Sequence, residues 1–217
     1  MNTVKPSQRP ASSLVVLVLM AGMVALGLWS SQPPPPRSPE DPQPLLQIYR
    51  HEVPKDLLLA LPLRVGDHWR FNALAPSGLF HTACWLEPSG EAREFGPLQR
   101  RQAGHVDELV YPLVNTLELT PAVGTKVVVL AARRQAPPTM DQITAAFGTE
   151  PWPGLPEYCM VRFSLRGVEV TGPKGPRLPT PEVTAAVEAR IQAALRQLAT
   201  TCDFVLGVAV PLAAASP

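Results

Sequence analysis

Thr125-Lys126-Val127-Val128-Val129-Leu130-Ala131-Ala132 is the stretch whose reading decides the fold. It is apolar at odd and even positions alike, so neither face of a strand built from it meets water. Such a run predicts a central strand covered on both sides. A strand of that kind needs other strands beside it and a further layer on each face.

The residues before it supply strand candidates. Trp69-Arg70-Phe71-Asn72-Ala73 alternates with period two, as a half-buried strand does. Pro76-Ser77-Gly78 turns the chain into a strand over Leu79 to Leu86. Glu87-Pro88-Ser89-Gly90 is a second turn, with proline early and glycine late, and Glu91 to Phe95 returns as the hairpin partner. Leu57 to Leu61, bounded by prolines, reads as a first short strand. Arg64 to Asp67 is a turn. Leu109-Val110-Tyr111 and Leu117-Glu118-Leu119 read as further short strands. Gln99 to Gly104 is polar and reads as a loop.

Downstream, Thr139-Met140-Asp141-Gln142 is a capping box, with Met140, Ile143 and Phe147 on one face and Gly148 placed to stop the helix. Cys159, Val161, Phe163 and Leu165 alternate with Met160, Arg162 and Ser164, which predicts a strand. Gly167 turns the chain into Val168-Glu169-Val170. Thr180 as N-cap and Pro181 at the first position open one long helix. Val183, Val187, Ile191, Ala194, Leu195 and Leu198 form its apolar stripe, while Glu182, Glu188, Arg190, Arg196 and Gln197 lie off it. Phe204 to Val210 is a final apolar strand.

Leu14 to Trp29, LVVLVLMAGMVALGLW, carries no charge. With its flanking serines it reaches about 20 residues, roughly 30 Å of helix, enough to cross a bilayer core. Lys5, Arg9 and the terminal amine precede it without an acid, which predicts a cytoplasmic N-terminus and an extracytoplasmic remainder. Trp29 suits an interfacial anchor. The alternatives are a buried core helix and a secreted protein after signal cleavage, for which Ala25-Leu26-Gly27 offers a small-x-small pattern. Gln32 to Pro44, QPPPPRSPEDPQP, is a stiff spacer that spans ~40 Å at ~3.1 Å per residue. A PxxP ligand is the sharper alternative for it.

The domain expectation is therefore a cytoplasmic stub over 1–13, a transmembrane helix over 14–31, a proline-rich linker over 32–44 and an extracytoplasmic domain over 45–217. Of the 217 residues 27 are proline, far above the usual ~5%, which limits long helices and favours β structure. A formal net charge of +1 gives no field that calls for nucleic acid.

Leu63-Arg64-Val65-Gly66-Asp67, the Gly78 to Leu86 strand, the turn ending at Gly90, the Tyr111-Pro112 step and Gly124 to Arg133 occur in an informative order. The order resembles a bacterial β-rich domain family of unknown function, often appended to serine/threonine kinase or caspase-like modules and sometimes set behind a membrane span. The family pattern runs P-L-R-x-G-D, then Y-L-Y-L-x-W-I-D-x-x-G, Y-P and G-x-E-x-x-x-L-A-R. The likeness covers about residues 60–135, and its motifs are structural. Leu79-Phe80-His81 replaces the aromatic triplet, and Lys126 stands where an acid is common. The resemblance implies no activity and no ligand.

Candidate chemistry fails on geometry. His51-Glu52-Val53-Pro54-Lys55 begins like a zinc-protease helix, but Lys55 replaces the second histidine and Pro54 breaks a helix. His81 and Cys84 are three apart in a strand and point to opposite faces, so they do not chelate together. Gly172-Pro173-Lys174-Gly175-Pro176 lacks the core of a phosphate loop. Arg100-Arg101 and Arg133-Arg134 read as solvated edge charges rather than a phosphate patch. Cys84, Cys159 and Cys202 read as buried thiols, with oxidation of one pair as the alternative outside the cytoplasm. No residue is assigned to catalysis, to a cofactor or to a metal.

The sequence thus predicts an α+β, β-rich chain: an N-terminal transmembrane helix, a proline-rich linker, and one mostly antiparallel β-sandwich-like domain with a short helix and a C-terminal amphipathic helix. Its expected role is a non-enzymatic binding or assembly module outside the cytoplasm. It would hold the membrane through Leu14 to Trp29 and engage an envelope protein partner. An envelope hydrolase with a dispersed site is the alternative, marked by His, Asp, Glu or Cys side chains converging in one pocket.

Overall fold

The computed structural model describes residues 45–119, 122–172 and 181–214. The chain divides into two units, Met1–Ser38 and Pro39–Pro217, and the description concerns the second. The expected membrane span over 14–31 and the linker lie outside the described residues, as does the Thr180 cap. Among the described residues no helix is long and apolar enough to cross a membrane.

One sheet is built from β1 (Leu46–Arg50), β2 (Val53–Lys55), β4 (His68–Pro76), β7 (Gln99–Ala103), β8 (Val106–Tyr111) and β9 (Leu117–Glu118). Its order is β2-β1-β4-β8-β7, with β9 beside β4. The other contains β3 (Leu63–Arg64), β5 (Phe80–Leu86), β6 (Ala92–Glu94), β10 (Gly124–Arg133), β11 (Met160–Ser164), β12 (Gly167–Thr171) and β13 (Phe204–Ala213). It runs β12-β11-β13-β10-β5-β6, with β3 beside β13. Pairing is antiparallel except between β13 and β3. Three helices accompany these strands among the described residues: α1 (Leu57–Ala60), α2 (Met140–Phe147) and α3 (Pro181–Leu198).

The β-rich, antiparallel expectation holds, and the central strand explains the layering. On β10, Val128 and Leu130 join the core shared with the first sheet, beside Ala83 and Trp85 of β5 and Leu46, Ile48, Phe71 and Leu109 opposite. Val127, Val129 and Ala131 face the other way, onto Ile143 and Phe147 of α2 and Val187, Ile191, Ala194 and Leu198 of α3. Both faces of β10 are thus dry, as its apolar parity requires. Aromatic rings stitch the two sheets together. Trp69 and Trp85 meet edge to face at 4.6 Å between centroids, and Phe95 stacks on Tyr111 at 5.3 Å.

Local chemistry sets the helix ends. The Thr139 hydroxyl accepts from the Gln142 amide and the Gln142 side chain accepts from the Thr139 amide, completing the expected capping box. The Gly148 amide closes α2 on the Thr144 carbonyl at 2.8 Å. The apolar stripe of α3 docks as expected from Val187 onward. Ile191 is fully buried in it, so Ile191→Ala should lower unfolding free energy by about 2–5 kcal/mol. Chemical denaturation measures this, and an unchanged midpoint would remove that face from the core.

Two expectations are corrected. The run expected as a strand over Leu57 to Leu61 instead forms the one-turn helix α1 over Leu57–Ala60, because the Asp56 carboxylate accepts from the Leu58 and Leu59 amides and caps a turn. Gln99 to Gly104 is not a loop. Its first five residues form β7, the edge of the first sheet, where one strand face and one margin meet water and polar side chains are stable. The Val53–Lys55 strand follows a tight hairpin in which His51 and Glu52 take φ values of 52° and 63°. The chain at His51-Glu52 is therefore a turn and not a metal-binding helix.

Candidate functional site

The cleft that stands out among the described residues has a volume of about 590 Å³ and lies between the β5 end of one sheet and the β7–β8 end of the other. Strand parity brings its polar groups together. On β8, Asp107 shares a face with Leu109 and Tyr111, so it points between the sheets, where it is fully buried. On β7, Arg100 sits opposite Leu109, which makes Asp107 its diagonal neighbour. Arg100 Nη2 lies 2.6 Å from Asp107 Oδ2, with the arginine side chain 45% exposed and the carboxylate side chain at 0%. The buried charge is thereby paired, and the guanidinium reaches out into the cleft.

His81 faces this pair from β5, on the same side as Ala83 and Trp85. Its Nε2 is buried and has no hydrogen-bond partner among the described residues, and neither has either oxygen of Asp107, whose contact with Arg100 is an ion pair. Burial pulls the His81 imidazole below its ordinary pKa of 6.5; the Arg100 charge adds to that, and the Asp107 charge opposes it. The unfolded chain therefore binds more protons than the folded one below pH 6.5. Stability attributable to His81 is complete above that value and falls as pH drops through it toward the lower folded pKa. A His81→Gln variant should flatten the pH dependence of the denaturation midpoint below 6.5 relative to the parent. Parallel profiles would show that His81 titrates as in the unfolded chain.

Thr82, on the opposite face of β5, donates its hydroxyl to the Pro138 carbonyl at 2.6 Å. Cys84 lies on that face too, in the core against α2 and α3. The parity argument that separated His81 from Cys84 therefore describes their positions. Among the described residues no group of three or more His, Cys, Asp and Glu side chains is arranged to hold a metal ion. Cys84, Cys159 and Cys202 are all free and buried. Burial pushes the Cys84 thiol up to about 12 and raises the other two. A thiol reagent at pH 8 should modify the native chain far more slowly than the denatured chain, since the thiolate is the reactive form. Fast labelling of Cys84 would place it at the surface.

The arginine pairs separate. Arg100 is committed to Asp107. Arg133 donates to the Ala136 carbonyl at 2.5 Å, and Arg134 makes an exposed ion pair with Asp203 at 3.7 Å. These are not one phosphate patch. The sequence reading missed Asp107 and Arg100 as partners because it treated residues 99–104 as a loop. The available signal was the two-residue step from Asp107 to Leu109 and Tyr111, which places an acid on an inward face. No family model matches this chain, and neither a curated protein nor a solved structure is similar enough to it to show a relationship.

Proposed function

We propose that this chain is a membrane-anchored, non-enzymatic binding module outside the cytoplasm, set off the bilayer by its proline-rich spacer, and that the cleft between β5 and β7–β8 is its ligand site. The observation that supports this is the make-up of the cleft. Leu79, Ala83, Phe95, Leu98 and Leu109 give it apolar walls, and Arg100 and His81 supply a few convergent polar groups. That is the usual constitution of a ligand pocket. Thr82 is the one residue of the lining that bears a hydroxyl, and its hydroxyl is engaged with Pro138 on the other side of the strand. The charge, span and spacer supply the location. The resemblance to domains appended to other modules fits a recognition role.

The hydrolase reading draws on one specific observation, the charge of the buried Asp107 acting on His81 from behind the cleft wall. Its form would be His81 taking a proton from an attacking water. Arg100 weakens it, because it neutralises the carboxylate that would otherwise support an imidazolium. Screening the full chain in mild detergent against ester, amide and phosphate substrates separates the two. Turnover lost in His81→Ala would overturn the binding reading. Reporter fusions after Pro44 test the topology: an exported tag should be active there, and a cytoplasmic one inactive.

A further inference from the structure

We propose that the cleft takes an extended peptide segment of a partner protein, which adds as a strand to the open edge of β5 at His81. This rests on the reading of the cleft as a ligand site and names what enters it. The hydrogen-bonding side of His81 is fixed by its neighbours. Along β5 the Ala83 carbonyl accepts from the Phe95 amide at 2.9 Å, and just beyond it the Glu87 amide donates to the Glu91 carbonyl at 2.8 Å. Odd-numbered residues here therefore turn their main-chain groups toward β6. From the other side, Ala132 is opposite His81, and its carbonyl accepts from Asp203 at 2.9 Å, so it bonds toward β13 and away from β5. Main-chain polarity alternates along an antiparallel strand, so the N–H and C=O of His81 must point away from β10.

On that side β6 has already ended. It pairs with β5 only over Cys84 to Leu86, and the chain then leaves the sheet through Phe95-Gly96-Pro97 to reach β7. Two features hold this departure in place. A side chain on Gly96 would stand 2.9 Å from the Tyr111 ring, so the crossing packs directly on that aromatic. Pro97 has no N–H to offer the strand it leaves. By that alternation the His81 N–H and C=O take no part in the β5–β10 pairing, no turn or loop bond among the described residues reaches them, and the gap they face is the cleft. Other strand edges lie at the outer margins of the two sheets. This one lies inside a walled groove, where an added strand would gain main-chain hydrogen bonds and side-chain contacts together.

The groove also sets the charge of the segment. Arg100 borders it with nearly half its side chain exposed and one edge of its guanidinium held by Asp107. Its remaining N–H groups suit a carboxylate. Glu94 lies on the β6 side of the same groove and disfavours a second acid there. The fitting segment is extended, apolar at the residues that face Ala83 and Leu109, and acidic at the residue beside Arg100.

The probe is a phage-displayed octapeptide library selected on the full chain in mild detergent. Selected peptides should carry an acidic residue and should slow exchange of the His81 amide at least tenfold. N-methylation of every second peptide amide should weaken binding at least tenfold in one phase and less than threefold in the other. Failure to select any octapeptide, unchanged His81 amide exchange, or equal effects of the two methylation phases would each overturn the proposal. So would protection of that amide that grows with protein concentration alone, which would assign the edge to a second copy. A parallel screen of small carboxylate and aromatic fragments, followed through the His81 imidazole resonance, isolates the underlying reading. Fragments that bind where no peptide does would leave the cleft a ligand site and remove strand addition.

Discussion

Replacing Lys126 by methionine is expected to lower the free energy of unfolding by about 3–5 kcal/mol at neutral pH. Lys126 stands on the inward face of β10, within the otherwise apolar run that centres the fold. Its Nζ lies 3.1 Å from Glu87 Oε2, with the two side chains 3% and 9% exposed, and 5.0 Å from the centre of the Trp85 ring. A charge this dry is stable only beside its counter-charge, and the ring face adds a further favourable contact. Methionine matches the length of the lysine stem, so little packing is lost. The loss comes from Glu87, whose nearly buried side chain is left without its counter-charge. The paired variant Lys126→Met with Glu87→Leu removes both charges and should regain most of the stability. Denaturation midpoints of the parent, both single variants and the double variant measure the coupling. A Lys126→Met chain within about 1 kcal/mol of the parent would mean that the pair is hydrated.

What the sequence made legible follows from periodicity. An apolar run with no parity gave a central strand, and the Thr139–Gln142 spacing gave a capped helix, because each pattern has a single local cause. The polar stretch at residues 99–104 did not read as a strand, since an edge strand can be polar on its water-facing side and its partner β8 is decided elsewhere in the chain. Asp107 was obscured for the same reason. In Val106-Asp107-Glu108-Leu109 the acid looks solvated until β7 is known to place an arginine across from it. Lys126 was visible as a charge within an otherwise apolar run, but its partner Glu87 is 39 positions away and brought near only by the β5–β10 pairing. The open edge at His81 is the least legible feature. It depends on where β6 stops, and no local composition marks that point apart from the Gly96-Pro97 step.

Arg190→Ala should be as damaging as the loss of a large core side chain, although the helical pattern places Arg190 off the apolar stripe of α3. Its Nε donates to the Phe147 carbonyl at 2.8 Å. Its Nη2 donates to Gly148 at 3.1 Å and to Glu150 at 2.8 Å, and its Nη1 to Pro151 at 2.9 Å. The guanidinium also lies 4.0 Å from the centre of the Trp152 ring. These carbonyls belong to the end of α2 and the turn after it, and α2 has no basic residue of its own in its last turn. Arg190 thus serves from a neighbouring helix as the positive cap that α2 lacks. It also fixes the segment whose Trp152 amide donates to the Pro88 carbonyl at 2.9 Å, at the β5–β6 hairpin. Four hydrogen bonds from a charged donor, discounted for partial exposure, are worth about 3–6 kcal/mol. For a domain of this size that corresponds to a fall in melting temperature on the order of 10 °C. Lysine cannot replace it, since one ammonium cannot reach four carbonyls in a fork or stack on the indole. Arg190→Lys should therefore recover less than half of the loss, and limited proteolysis of the alanine variant should cut first between Gly148 and Gly154. A lysine variant that melts with the parent would show that charge alone, and not the planar fork, holds α2 to α3.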